Sequence, residues 1–214
     1  MLLLQEVKIS SKDQKTQDAV RTAINTALPS ERNSNSSGPT YEAHFTLPTD
    51  SFNARGPRGS GRVYGVCSIL RSDLREKHSV NVRAVDWDRE GRVSITEIVH
   101  LVTGSKLAVF NIYAVNGTQN PYREPSTGQV CGTRHSRKRQ FHQLLAQECR
   151  DLEEAGWLVL LAGDMNVAPD TRDGFPNLRV FPHDHAVNRA DFHTNILESA
   201  SGDSTGFNGV DVWR

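Results

Sequence analysis

Apolar residues along this chain fall into short runs, and three of the runs end on a carboxylate, an amide or a phenol. "LLLQE" opens the chain at residues 2 to 6 and stops on Glu6. "YEAHFTL" at 41 to 47 alternates, "RVYGVCSIL" at 62 to 70 is apolar and β-branched, and "RVSITEIVHLV" at 92 to 102 alternates before turning apolar. "KLAVFNIYAV" at 106 to 115 is mostly apolar, the pattern of a central strand, and "WLVLLA" at 157 to 162 is an apolar run that reads as a buried strand. Helical spacing appears twice. From Ser11, with Gln14 three residues on in the manner of a capping box, Ala19, Val20, Ala23, Ile24, Ala27 and Leu28 share one face, and Pro29 ends the pattern. Over 137 to 155, Phe141, Leu144, Leu145, Cys149 and Leu152 form one stripe, and Gly156 is placed to end it. A third helix is expected over 188 to 200, starting at an Asn188 cap. Polar loops are expected at 30 to 40, at the glycine-rich 53 to 61, and over "PDTRDGFPNLRVFPHDH". Many strands with few helices between them predict an α/β sandwich rather than a doubly wound sheet.

Composition adds bounds rather than identity. The chain has 214 residues, enough for one domain with a substantial core. Twenty-five basic residues balance twenty-five acidic ones, so no global field announces nucleic acid, although a local basic groove stays open. Cys67, Cys131 and Cys149 form no CxxC pair and no even set, which argues against a disulfide framework or a zinc knuckle and for a reducing, intracellular compartment. The apolar start is too short for a signal peptide or a membrane span, so a soluble protein without a membrane partner is expected.

The strand ends carry the candidate chemistry. In "VLLAGDMNVAPD" the apolar run stops on Asp164 and Asn166, which share a face if the segment stays extended; an ordinary turn is the competing reading. Tyr113 and Asn116 end the run before them, and Glu6 ends the first. Three such ends can meet at one sheet edge. A carboxylate there can hold Mg²⁺, a second can orient or deprotonate a water, and amides and a phenol can hold phosphate oxygens. The set suits metal-assisted phosphodiester hydrolysis.

"LLLQEVK", "NIYAVNG" and "LLAGDMNVA" resemble the ordered motifs of the endonuclease/exonuclease/phosphatase superfamily. "DREGRVSITEI", "GSGRVYGVCSIL" and "GVDVWR" are similar to segments of its exonuclease III-type apurinic/apyrimidinic (AP) endonucleases. The resemblance runs in family order along the whole chain. It implies a four-layer α/β sandwich, with two mixed sheets face to face and helices outside. It implies Glu6 as a Mg²⁺ ligand, with Mn²⁺ as an alternative ion, and Asp164 as the residue that positions or activates water. Asn166 and Asn116 would contact the scissile phosphate, and Tyr113 would stabilise the transition state. DNA would be the substrate, abasic sites in base excision repair the setting, the nucleus the compartment and a monomer the working form.

Against the same pattern, an upstream strand bearing Asn and a terminal Ser-Asp-His are missing, so residues 1 to 214 read as a partial domain. Two alternatives stay open: a catalytically incomplete fragment or binding module, and a superfamily enzyme for another phosphate ester. Arg55 and Arg58 in the glycine-rich loop, with Arg137 and Arg139 in "RHSRKR", are candidate contacts to a DNA backbone, set against an ordinary solvated face. "HDH" at 183 to 185, with His193, matches no zinc spacing and reads as a polar loop; His100 and His142 read as structural or surface groups.

Overall fold

The computed structural model describes residues 1–26, 38–54, 64–197 and 206–212. It divides into two compact units, Met1–Tyr113 with Leu160–Gly163, and Ala114–Val159 with Asp164–Arg214.

The first unit is the sandwich. One sheet has the order β1-β3-β2, built from β1 (Leu2–Val7), β3 (Gly65–Arg71) and β2 (Tyr41–Thr46), with both pairings antiparallel. The other has the order β4-β5-β6-β9, from β4 (His78–Ala84), β5 (Val93–His100), β6 (Lys106–Tyr113) and β9 (Leu158–Asp164). β1 and β3 pack on β6, β3 also on β5, and β2 on β4, so the sheets lie face to face. Period-2 patterning sorts their residues. In β3, Cys67 and Ile69 turn outward and form a cluster with Ala43, Leu4, Val7 and Phe45, which α1 (Gln14–Ala23) closes through Ile24 just past its end. Ser68, on the alternate face, meets Asn111 of β6. β5 and β6 are buried on both faces; the apolar run of β6 requires it, while the alternating β5 puts Ser94 and Thr96 inside as well, and Val93, Ile95, Phe110 and Ile112 are fully inaccessible. A short helix α2 (Leu74–Lys77) precedes β4.

The second unit holds a hairpin of β7 (Pro121–Arg123) and β8 (Val130–Thr133), the long helix α3 (Arg134–Glu154), a 3₁₀ turn (Thr171–Asp173) and α4 (Asp184–Ile196) packed on α3. Thr133 and Ser136 form a reciprocal capping box at the start of α3, and Gly156 follows its end with φ 81°. No helix among the described residues is long and apolar enough to cross a membrane.

Several expectations need correction. The cap of α1 is Asp13, whose carboxylate accepts from the Thr16 amide, not Ser11; a carboxylate at that place also complements the helix dipole. Ala19 and Ala23 are exposed, and Val20 and Ile24 carry the half-buried face, while Ala27, Leu28 and Pro29 lie outside the described residues. α4 begins at Asp184, four residues before the expected Asn188 cap, so His185 sits on a helix and not in a loop. β4, with alternate half-buried residues, and the β7–β8 hairpin have no counterpart among the expected strands.

Candidate active site

In the first unit the site residues are Glu6 and Tyr113. β1 breaks register on β3 between Leu4 and Val7, and Glu6 adopts φ 53°, a left-handed conformation that a bulge supplies. The bulge sends Gln5 and Glu6 to different places. Gln5 Nε2 donates to Asn111 Oδ1 at 2.7 Å. The Asn111 amide donates to the carbonyl of Cys67 at 3.1 Å and lies within 3.3 Å of Ser68 Oγ, so β1, β3 and β6 are tied together inside the sandwich. Glu6, about half exposed, receives the Tyr113 hydroxyl on Oε1 at 2.7 Å, and Lys8 Nζ stands 3.6 Å from Oε2. The Tyr113 ring lies 6.3 Å from Tyr64 and 5.2 Å from the Arg92 guanidinium.

"DREGR" supports Tyr113 from below. Glu90 is buried and pairs with Arg92 Nε at 3.0 Å, and Arg92 Nη1 donates to the Tyr113 carbonyl at 3.1 Å. Gly91, with φ 71°, brings this turn against the backbone of Leu47 and Pro48, where a Cβ would sit 2.7 Å away. Asp88 accepts from the amides of Glu90 and Arg92. Its burial, reinforced by the neighbouring Glu90 charge, pushes its carboxyl above the usual range.

Gly163 ends the part of β9 that belongs to this unit. Its φ is 133°, and a Cβ there would stand 2.0 Å from the Ile112 carbonyl oxygen. Only glycine tolerates that approach, which is why the "GD" of the motif begins with it.

In the second unit lie Asp164, Asn166 and Asn116. The segment does not continue extended. Asn166 has φ 51°, its amide donates to Asp164 Oδ1 at 2.8 Å, and its carboxamide Nδ2 donates to the Ala114 carbonyl at 2.9 Å. Ala114 N–H in turn donates to the Asp164 carbonyl at 2.8 Å. Of the two readings of this stretch, a shared extended face and an ordinary turn, the structure has the turn, because Asn accepts a left-handed backbone and Asp caps it. The second carboxamide hydrogen of Asn166 and the Oδ2 of Asp164 remain available to a substrate. Lys138 of α3 donates through Nζ to the Asn166 carbonyl. Asn116 is exposed in the loop that follows β6. The next residue, Gly117, lies so close to His135 and Asn188 that a Cβ would come within 2.6 and 2.7 Å of their side-chain nitrogens.

The basic cluster is not an exposed track. His135, Arg137 and Lys138 are all buried. The Arg137 guanidinium lies 5.3 Å over the Tyr122 ring and Nη1 donates to Gln140. Arg137 is therefore committed inside its unit, a correction to its reading as a backbone contact; it sits one turn above the Phe141 stripe and follows it inward. Arg139 is partly exposed, with Asn188 Oδ1 at 3.3 Å and Asp184 at 3.7 Å. Arg55 and Arg58 lie outside the described residues. Three histidines have structural partners: His142 Nδ1 meets Asp191 at 2.7 Å, His135 Nδ1 accepts from Asn188 at 2.8 Å, and His193 Nε2 reaches the Pro169 carbonyl at 2.9 Å.

Among the described residues no group of three or more His, Cys, Asp and Glu side chains is gathered for a metal. A half-exposed single carboxylate such as Glu6 nevertheless fits Mg²⁺, which keeps most of its waters and is commonly held by one or two carboxylates plus substrate phosphates.

A solved structure of truncated Caenorhabditis elegans TDP2 aligns with 78% of this chain and 49% of its own, at 16% identity and a TM-score of 0.37. This chain thus spans about half the length of that protein. No curated protein matches significantly. The sequence profile described as the endonuclease/exonuclease/phosphatase family matches residues 1–213, nearly the whole chain. The chain belongs to the endonuclease/exonuclease/phosphatase family.

Proposed function

We propose that this protein is a Mg²⁺-dependent phosphodiesterase that cuts DNA, in the manner of the exonuclease III-type AP endonucleases. The observation that carries the reading is the 2.7 Å hydrogen bond from Tyr113 to Glu6, which sets a phenol O–H against an accessible carboxylate at the end of two core strands. Glu6 is the residue that would hold the metal, and a bound Mg²⁺ would supply Lewis-acid polarisation of a phosphoryl oxygen. Tyr113 can turn its O–H from the carboxylate to a phosphate oxygen and stabilise charge that develops there. Asp164 orients or deprotonates the attacking water, and its retained Oδ2 is suited to that task. Asn166 and Asn116 donate carboxamide hydrogens to the phosphate. Arg139, and Arg55 and Arg58 of the glycine-rich loop, are the remaining candidates for backbone phosphates of DNA, and the nucleus is the compartment such a substrate implies.

Fold and metal chemistry do not choose among phosphate esters. A substrate panel at fixed Mg²⁺ does. Duplexes with and without an abasic site, a phosphoinositide, sphingomyelin and a polyadenylate strand are compared by kcat/KM. Preference for the abasic duplex by about 10²-fold supports the AP-endonuclease reading, since a site built for one substrate discriminates on that scale. Preference for a lipid or RNA substrate reassigns the enzyme within the family.

A further inference from the structure

Lys138 stands where an apolar residue belongs. It lies three residues before Phe141 and seven before Leu145 on the buried stripe of α3, and it is 3% exposed. A buried ammonium is costly unless something requires it. Its Nζ donates to the backbone carbonyl of Asn166, and Asp164 lies within electrostatic reach of it. Burial pushes its ammonium down to about 8.

The Asn166 conformation needs such support. A non-glycine residue at φ 51° persists where its neighbours over-determine it. Three hydrogen bonds do so. The Asn166 amide is held by Asp164 within the turn, its carboxamide by Ala114 just after β6, and its carbonyl by Lys138 from α3. The helix thus fixes the far side of the turn, and it brings a positive charge to the turn that carries the proposed general base.

We infer that Lys138 is a positioning residue for the phosphodiesterase reaction, holding the Asp164–Asn166 turn in its reactive geometry through the Asn166 carbonyl. The role rests on the phosphodiesterase reading above.

The test uses the full chain with Lys138→Met, which keeps the length and volume of the side chain and removes donor and charge. Three readouts are taken together. Steady-state hydrolysis of bis(p-nitrophenyl) phosphate with Mg²⁺ gives kcat and KM. Hydrogen exchange and the ¹⁵N–¹H signals of Asn166 report the turn directly. Thermal melting reports the fold. The expected result is a fall in kcat on the order of 10²-fold with KM within about 2-fold, because a misplaced catalytic group costs chemistry rather than binding. Asn166 exchanges about tenfold faster, and Tm is unchanged or raised, since Met relieves the desolvation of a buried charge. A merely structural lysine would lower Tm and kcat together with spectral changes throughout the unit, and that result overturns the inference. So does unchanged exchange at Asn166. An inactive wild type sinks the phosphodiesterase reading and with it the catalytic role, while the Asn166 exchange still decides whether Lys138 holds the turn. Should Lys138→Met not fold, Lys138→Gln carries the same readouts.

Discussion

The Tyr113 hydroxyl donates to Oε1 of Glu6 at 2.7 Å, joining residues 107 positions apart in the chain. Neither side chain reaches that position by default. Glu6 is turned outward by the β1 bulge, and Tyr113 is fixed by Arg92 on its ring and on its carbonyl. Tyr113→Phe keeps the ring and its cation–π contact but removes the donor. Activity is expected to fall about 10²-fold, the loss seen when one donor to a developing charge is deleted, with Tm within a few degrees of wild type. Steady-state kinetics beside a thermal melt checks both halves.

Gly163→Ala is expected to be severely destabilising. A methyl group would stand 2.0 Å from the Ile112 carbonyl oxygen, and φ 133° is itself unfavourable for alanine. The backbone must move to admit it, at a cost of roughly 3 kcal/mol or more. Urea titration should show the midpoint fall, and a midpoint equal to wild type would mean that β6 and β9 do not approach as described.

Stability should fall on the acid side of neutrality through the histidines of the second unit. Burial lowers His142, opposed by Asp191, and burial likewise lowers His135 and His185. These groups stay neutral in the fold while the unfolded chain takes up protons at about pH 6.5. The unfolded state then binds more protons, so stability is full above about pH 7 and is lost as the pH falls through 6.5 toward the lowered folded values. His142→Gln keeps a donor for Asp191 without titrating. Its Tm should vary less between pH 7 and 5 than that of wild type; parallel curves would rule out His142 as a source.

Thiol reactivity should single out one cysteine. Burial pushes Cys67 up to about 11 and raises Cys149 further, so neither offers thiolate at neutral pH. Cys131 is exposed on β8. Native protein is expected to react with a thiol-specific disulfide reagent at Cys131 alone, and peptide mapping identifies the site.

Much of the sandwich was legible because its strands obey simple periods. The doubly buried run of β6 and the Phe141–Leu152 stripe fall where patterning puts them, whereas the alternation of β5 hid that its Ser94–Thr96 face is buried too. β4 also alternates, His78, Val80, Val82 against Ser79, Asn81, Arg83, but its polar residues masked a signal that the pairing with β5 makes plain. Motif positions were legible as well, yet their geometry was not. "DMN" left an extended strand end and an ordinary turn both open, and the structure has the turn, with Asn166 left-handed. The bulge at Glu6 is hidden: backbone conformation of single residues follows from tertiary hydrogen bonds. The basic run 134–139 misled because charge outweighed phase. Stepping three residues back from Phe141 marks Lys138 as inward-facing, and its burial with Arg137 bears out the phase.

The most direct measurement is Mg²⁺-dependent cleavage of an abasic duplex by the full chain, alongside Glu6→Gln and Asp164→Asn, each verified to fold by thermal melting. Wild type is expected to cleave, with chelation abolishing the activity and magnesium restoring it. Each variant is expected to lose activity by at least about 10²-fold with the fold intact, and the double variant to lose little more, as groups acting in one step are not additive. Cleavage by Glu6→Gln or Asp164→Asn at the wild-type rate, or no phosphodiester cleavage by wild type, would contradict the phosphodiesterase reading.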